Sequence, residues 1–263
     1  LMISFSVPGG GVGPHIDQYD VFIIQGMGSR RWRVGDKLPM RQFCPHPALL
    51  HVDPFPPIID EDLQPGDILY IPPGFPHDGI THETALNYSV GFRGPNGRDL
   101  ISSFADYVLE NDLGGEHYSD PDLTCREHPG RVEEYELERL RTMMIDMIRQ
   151  PEDFKQWFGS FVTTPRHELD IAPAEPPYEE EEVVDALLGG EKLSRLSGLR
   201  VLHIGDSFFV HSEQLDTTDA EALDALCRYT SLGQEELGSG LQNPAFVSEL
   251  TRLVNQGYWY FEE

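Results

Sequence analysis

The chain has 263 residues, of which 39% are hydrophobic, enough for one large or two small packed domains. Its formal net charge is −26 and its pI is near 4.5, so it would repel nucleic-acid phosphates and attract a basic protein partner. Cys44, Cys125 and Cys227 are scattered, without Cys-x-x-Cys spacing, which excludes a disulfide framework or a zinc knuckle and fits a reducing cytoplasm. No run reaches the ~18 apolar residues of a membrane span, and no secretory signal is visible. The chain opens inside an apparent strand (Leu1-Met2-Ile3-Ser4-Phe5-Ser6), so further N-terminal sequence is expected.

Strands are expected at 2–7, 15–25, 29–34, 67–72, 77–81 and 84–92, where β-branched and aromatic residues alternate between turn signals. Gly9-Gly10-Gly11 reads as a loop able to approach a ligand closely. Residues 35–66, rich in proline and turn formers, read as one long connection. Many short strands with such punctuation predict a double-sheet jelly roll of the cupin type. After Gly94-Pro95-Asn96-Gly97 the pattern turns helical: 100–110, with Asp99 as its cap, then 131–149 and 151–162. The broad apolar face of 131–149 includes Leu137, Leu140, Met143, Met144 and Met147, and the methionines read as packing. Residues 168–182 read as a Pro-rich acidic linker whose Glu179–Glu182 run is solvated chain. The remainder, 183–263, reads as a small domain. Val183–Leu188 is apolar-periodic, 199–204 and 208–211 form a hairpin, 217–229 and 245–256 are helices, and 258–261 is a strand. That set resembles a winged helix without a basic recognition helix, which favours protein over DNA contact.

The chemistry concentrates between His15 and His77. His15 and Asp17 are two residues apart, so an extended strand presents them on one face. His77 follows Pro65-Gly66-Asp67-Ile68-Leu69-Tyr70-Ile71-Pro72-Pro73-Gly74, a turn, a short strand and a second turn. Two histidines and one carboxylate on one face of an octahedral metal leave positions open, the ligand set of non-haem Fe(II) oxygenases. The competing His51-Val52-Asp53 reads as loop, because Pro54, Pro56 and Pro57 follow it. His203, His211, Glu213 and Cys227 have no ligand spacing. Strand alternation places Arg30 with Trp32 and opposite Arg31 and Arg33, and an interior arginine needs an anion.

The strand Val21-Phe22-Ile23-Ile24 with Gln25-Gly26-Met27-Gly28-Ser29-Arg30-Arg31-Trp32, the Pro65–His77 stretch and Ala85-Leu86-Asn87-Tyr88-Ser89-Val90 together resemble the Jumonji-C 2-oxoglutarate oxygenases, most closely the bacterial ribosomal oxygenases. The resemblance covers residues 1–94 by motif and the rest more loosely. It implies a double-stranded β-helix followed by a helical dimerisation region and a winged-helix-like domain. The divisions are 1–94 (catalytic), 95–167 (helical, dimerising), 168–182 (linker) and 183–263 (winged-helix-like). It implies Fe(II) on His15, Asp17 and His77, and 2-oxoglutarate with its distal carboxylate on Arg30, where the family usually has lysine. Asn87 stands beside the cosubstrate, with Ser4 and Ser6 lining the same pocket. It implies that 2-oxoglutarate and O2 are spent in hydroxylating a basic protein, the target being an arginine β-carbon of the sixteenth large-subunit ribosomal protein. A cytoplasmic homodimer that contacts neither nucleic acid nor membrane is the implied form. Three other readings remain: a cupin metalloenzyme acting on a small molecule without 2-oxoglutarate, a Jumonji lysine demethylase, and a non-enzymatic interaction protein.

Overall fold

A computed structural model describes residues 1–46, 49–128, 130–215 and 219–262. It divides into two compact units, Leu1–Asp99 and Leu100–Glu263.

Among the described residues the first unit is a ten-strand jelly roll. Its strands are β1 (Met2–Ser6), β2 (His15–Ile16), β3 (Asp20–Met27), β4 (Arg30–Gly35), β5 (Gln42–His46), β6 (Leu49–Val52), β7 (Pro57–Leu63), β8 (Ile68–Ile71), β9 (Pro76–Thr81) and β10 (Ala85–Phe92). One sheet has the order β1-β10-β3-β8 and the other β5-β6-β2-β9-β4-β7. All pairings are antiparallel. The core combines Val21 and Ile23 of β3, Trp32 and Val34 of β4 and Ile71 of β8, the alternate residues of strands with one face inward. Ile16, Val52 and Phe55 form a smaller cluster.

Two expectations are corrected here. Residues 35–66 hold three strands, and His51-Val52 lies in β6 rather than in a loop. The prolines misled because β6 ends at Val52, before Pro54, and because β5 and β7 are the edge strands of their sheet, where a residue without an N–H is tolerated. Pro57 is the first residue of β7, and the β5–β6 pairing shifts register between Phe43 and His46. The expected strand 15–25 is two strands in different sheets, and Asp17 lies in the crossing between them.

Helix α1 (Gly97–Glu110) opens the helical part. Its cap is Asn96, whose Oδ1 accepts from the N–H groups of Arg98 and Asp99, while Asp99 reaches back to the Asn96 N–H. Asp99 is therefore the reciprocal member of a capping box, not the cap. Helices α2 (Glu134–Arg149) and α3 (Pro151–Thr163) follow. Phe104 of α1 packs edge-on against Trp157 of α3, whose Nε1 donates to Ser103 Oγ at 3.1 Å. No residue of α2 is buried.

Next come α4 (Glu180–Leu188), β11 (Leu193–Arg195), β12 (Val201–Ile204), β13 (Ser207–Val210), β14 (Glu213–Gln214), α5 (Ala220–Arg228), β15 (Ser231–Leu232), α6 (Gln234–Leu237), a 3₁₀ turn (Gly238–Gln242), α7 (Pro244–Asn255) and β16 (Trp259–Phe261). The expected hairpin and the helix at 245–256 are found, while part of the expected helix at 217–229 (217 and 218) lies outside the described residues. The acidic run is not plain solvated chain. Glu179 and Glu182 form a capping box, and Glu180–Glu182 make the first turn of α4, where carboxylates favour the helix dipole. Val183, Leu187, Leu193, Phe246, Leu250 and Trp259 anchor one large apolar core. Gly159 of α3 lies against β13, where a Cβ would overlap the Phe209 ring.

Candidate metal centre

Two adjacent strands bring the histidines together. His15 of β2 is directly opposite His77 of β9, and their ring centroids are 4.2 Å apart. Cross-strand partners point to the same face. The Asp17 carboxylate, just past β2, lies 3.5 Å from His77 Nε2. One ligand atom from each of His15, Asp17 and His77 lies within 4.8 Å of the others.

Both rings are oriented by the backbone. His15 Nδ1 lies 2.8 Å from Gly13 O and His77 Nδ1 lies 3.1 Å from Phe75 O. A carbonyl can only accept, so each Nδ1–H is the donor and Nε2 is the ring atom turned away from the backbone, the usual arrangement behind a metal-bound histidine. Burial, and then the neighbouring His77, hold the His15 pKa below the ordinary histidine value, keeping the ring neutral. Burial pushes the Asp17 carboxyl upward, but His77, His15 and Tyr19 outweigh it and leave it below the usual range. Two imidazoles and a carboxylate so placed fit a divalent transition metal.

The other expected site residues line the same interior. Arg30 is 4% exposed, and its guanidinium lies 4.7 Å above the Trp32 ring. Nη1 donates to Asn87 Oδ1 at 2.7 Å and Nη2 to Gly79 O at 3.0 Å, while Nε has no partner among the described residues. Burial lowers the Arg30 pKa, with Asp78 offsetting part of that. An arginine stays charged even so, and a buried cation with a spare donor fits an anion. Ser6 Oγ is 2.8 Å from Thr81 Oγ1, and Thr81 is the register partner of Arg30. Ser4 joins the group through its register with Asn87.

Gln25 and Gly79 were not singled out from the sequence, and His51 was set aside there as loop. Gln25, opposite Asn87, is 1% exposed; its Nε2 donates to Met27 O and Gly28 O, while Oε1 has no partner among the described residues. His51 is the other cross-strand partner of His15 but lies outside the three-ligand cluster. Gly79 is in strand β9, two residues past His77 and so on the same face. A Cβ there would meet Arg30 Nε at 2.8 Å. A glycine inside a strand signals such close approach, and that signal was available in the sequence.

Fold and site together define a Jumonji-C oxygenase barrel. Residues 1–100 match the JmjC domain model, and residues 146–260 match the ROXA-like winged helix model. The chain is 63% identical over 262 residues to the ribosomal protein uL16 3-hydroxylase of Escherichia coli (strain K12), covering all of this chain and 70% of that protein. It is 28% identical over 256 residues to a probable ribosomal oxygenase of Haemophilus influenzae, covering 88% of this chain and 61% of the relative. Among solved structures, E. coli YcfD in complex with cobalt and 2-oxoglutarate superimposes with a TM-score of 0.92 at 60% identity, over 99% of this chain and 69% of that one. A second YcfD structure, with cobalt and succinic acid, gives 0.91 at 59% identity over the same shares. The chain belongs to the Jumonji-C ribosomal oxygenases, a branch of the 2-oxoglutarate-dependent oxygenases.

Proposed function

We propose that the chain hydroxylates the β-carbon of an arginine in ribosomal protein uL16, using Fe(II), 2-oxoglutarate and O2. The single observation that carries the reading is the pairing of a two-histidine, one-carboxylate cluster with a buried arginine in one barrel interior. A metal cupin that does not use 2-oxoglutarate has no use for that cation. The identity to a uL16 3-hydroxylase supports the target protein, and carbon 3 of an amino acid is its β-carbon.

In this reading His15 and His77 bind the metal through Nε2 and Asp17 through its carboxylate, with Gly13 O and Phe75 O fixing the ring orientations. Fe(II), once bound with 2-oxoglutarate and O2, supplies an oxidant strong enough to place oxygen into an unactivated C–H bond, while 2-oxoglutarate becomes succinate and CO2. Arg30 anchors the distal carboxylate of the cosubstrate, held on the barrel wall by Asn87 and Gly79. Arginine in place of the family's usual lysine suits this role, because a guanidinium pairs bidentately with a carboxylate. Ser6 reaches this wall through Thr81, and Ser4 lies beside Asn87. The protein contributes ligation, orientation and exclusion of side reactions.

The net charge of −26 suits a basic substrate and not a nucleic acid. The proposed divisions are 1–94 for catalysis, 95–167 for dimerisation, 168–182 as a linker and 183–263 as the winged-helix-like domain. The exposed Tyr135, Leu137, Leu140, Met144 and Ile148 of α2 support a homodimer through that helix. A cytoplasmic location fits a ribosomal substrate and the free thiols of Cys44, Cys125 and Cys227. No described helix is long and apolar enough to cross a membrane.

Mass analysis of uL16 after incubation with the chain, Fe(II), 2-oxoglutarate and O2 tests the target. One added oxygen on one arginine, with fragment ions placing it at the β-carbon, is expected. Oxygen on a histidine, or loss of lysine methyl groups, would replace this reading with a different member of the family.

A further inference from the structure

We propose that Trp32 is a cosubstrate-binding residue, its buried indole N–H serving as a second donor beside Arg30 for a 2-oxo dicarboxylic acid bound between Arg30 and the His15–Asp17–His77 cluster. The inference rests on the assignment of 2-oxoglutarate as cosubstrate.

Trp32 is 4% exposed, and its Nε1 is fully buried with no acceptor among the described residues. A buried indole N–H normally has a partner, and leaving it without one is costly. Trp157 shows the ordinary case, donating to Ser103 Oγ. Trp259 also has no partner among the described residues, but it is enclosed in an apolar core. Trp32 packs against apolar residues on one side but has charged and histidine neighbours as well. The Arg30 guanidinium lies 4.7 Å from its ring, and the ring centroid of His77 is 6.2 Å away. The indole thus occupies the interval between the proposed carboxylate anchor and a proposed metal ligand, and a molecule bridging the two must run along it.

The surroundings fix the ring in that place. A Cβ on Gly79 would meet Trp32 Cη2 at 2.9 Å as well as Arg30 Nε at 2.8 Å, so both side chains lie hard against the bare backbone of β9. Val34 of β4 and Ile71 of β8 pack with Trp32 in the same cluster. Two buried donors without partners, Arg30 Nε and Trp32 Nε1, therefore sit in one interior beside the metal cluster. Donors held rigidly in that way suit an acceptor-rich ligand such as a carboxylate.

The test is the indole ¹⁵N–¹H spectrum of the full chain loaded with Zn(II), titrated with 2-oxoglutarate. The chain has three tryptophans, so three signals need assigning. Trp32→Phe, or Trp157→Phe and Trp259→Phe by elimination, assigns them. The Trp32 signal is expected to move downfield on titration while those of Trp157 and Trp259 stay. By calorimetry on the Zn(II) form, Trp32→Phe should bind 2-oxoglutarate roughly ten-fold more weakly, the scale of one charge-assisted hydrogen bond. In the Fe(II) form the KM for 2-oxoglutarate should rise by more than kcat falls. A wild-type chain that binds 2-oxoglutarate while the Trp32 signal stays fixed overturns the inference and leaves the cosubstrate assignment standing. If Trp32→Phe does not fold, the wild-type titration alone decides. A wild-type chain that binds no 2-oxoglutarate overturns both.

Discussion

Between the sheets of the barrel, His15, Gln25, Arg30, His77 and Asn87 are buried together with Trp32 and Val34. Beyond Leu100 the buried polar residues are only Thr163, Ser207 and Thr251 among the described residues, and one large apolar cluster fills the interior. The first interior spends burial on polar groups whose free valences point to a ligand, at a cost in stability. The second spends it on apolar area, at about 25 cal/mol per Å² of gain. Changes in the barrel should therefore be read in binding and turnover, and changes in the C-terminal core in melting.

The largest effect expected is on the cluster itself. Asp17→Ala should lower hydroxylation by more than about 100-fold, since even outer-shell partners of a metal are worth 10- to 100-fold. Its melting temperature should change little, because Asp17 lies outside the strands. A matching loss of melting and activity would erase the contrast between the two interiors. Next is Arg30→Ala, which removes the proposed carboxylate anchor and should cost about 2–5 kcal/mol, or roughly 30-fold or more in 2-oxoglutarate affinity. Arg30→Lys should recover part of that affinity. Full activity in Arg30→Ala would point to a metal cupin that does not use 2-oxoglutarate.

The third change sharpens the comparison from the other side. Leu250 is 0% exposed in the C-terminal core, and Leu250→Ala should cost about 2–5 kcal/mol, read as a lower denaturation midpoint. Affinity for 2-oxoglutarate in the folded protein should be unchanged. The smallest effect concerns thiols. Burial, helped by Asp224, pushes the Cys227 thiol up to about 11, so near pH 8 only about a thousandth is thiolate. Cys44 and Cys125 are exposed. Alkylation with mass detection should label those two first, with Cys227 following only as pH rises toward its pKa or the unit unfolds.

Much of the barrel was legible in the sequence because period-2 alternation is local. It placed Arg30 and Trp32 on one inward face, and both are buried there. His15 and Asp17 do converge with His77, but the reason given was incomplete: Asp17 leaves the strand at a crossing between sheets, and long-range register sets its direction. The strands within 35–66 were hidden because proline argues against a central strand, while only the sheet order shows that β5 and β7 are edges. The Asn96 cap was missed for a local reason. Asp99 is also a good capping residue, and only the hydrogen bonds show which of the two begins the helix. Gly79 carried a readable signal, a glycine in a strand, but its neighbours Arg30 and Trp32 come from another strand.

The most direct measurement is succinate release from 2-oxoglutarate by the iron-loaded chain in air, with and without purified uL16. The account predicts that succinate forms faster when uL16 is present, in step with oxygen incorporated into the protein, and that Asp17→Ala and Arg30→Ala both suppress it. Iron bound by the chain with no succinate released, even with uL16 present, would contradict it.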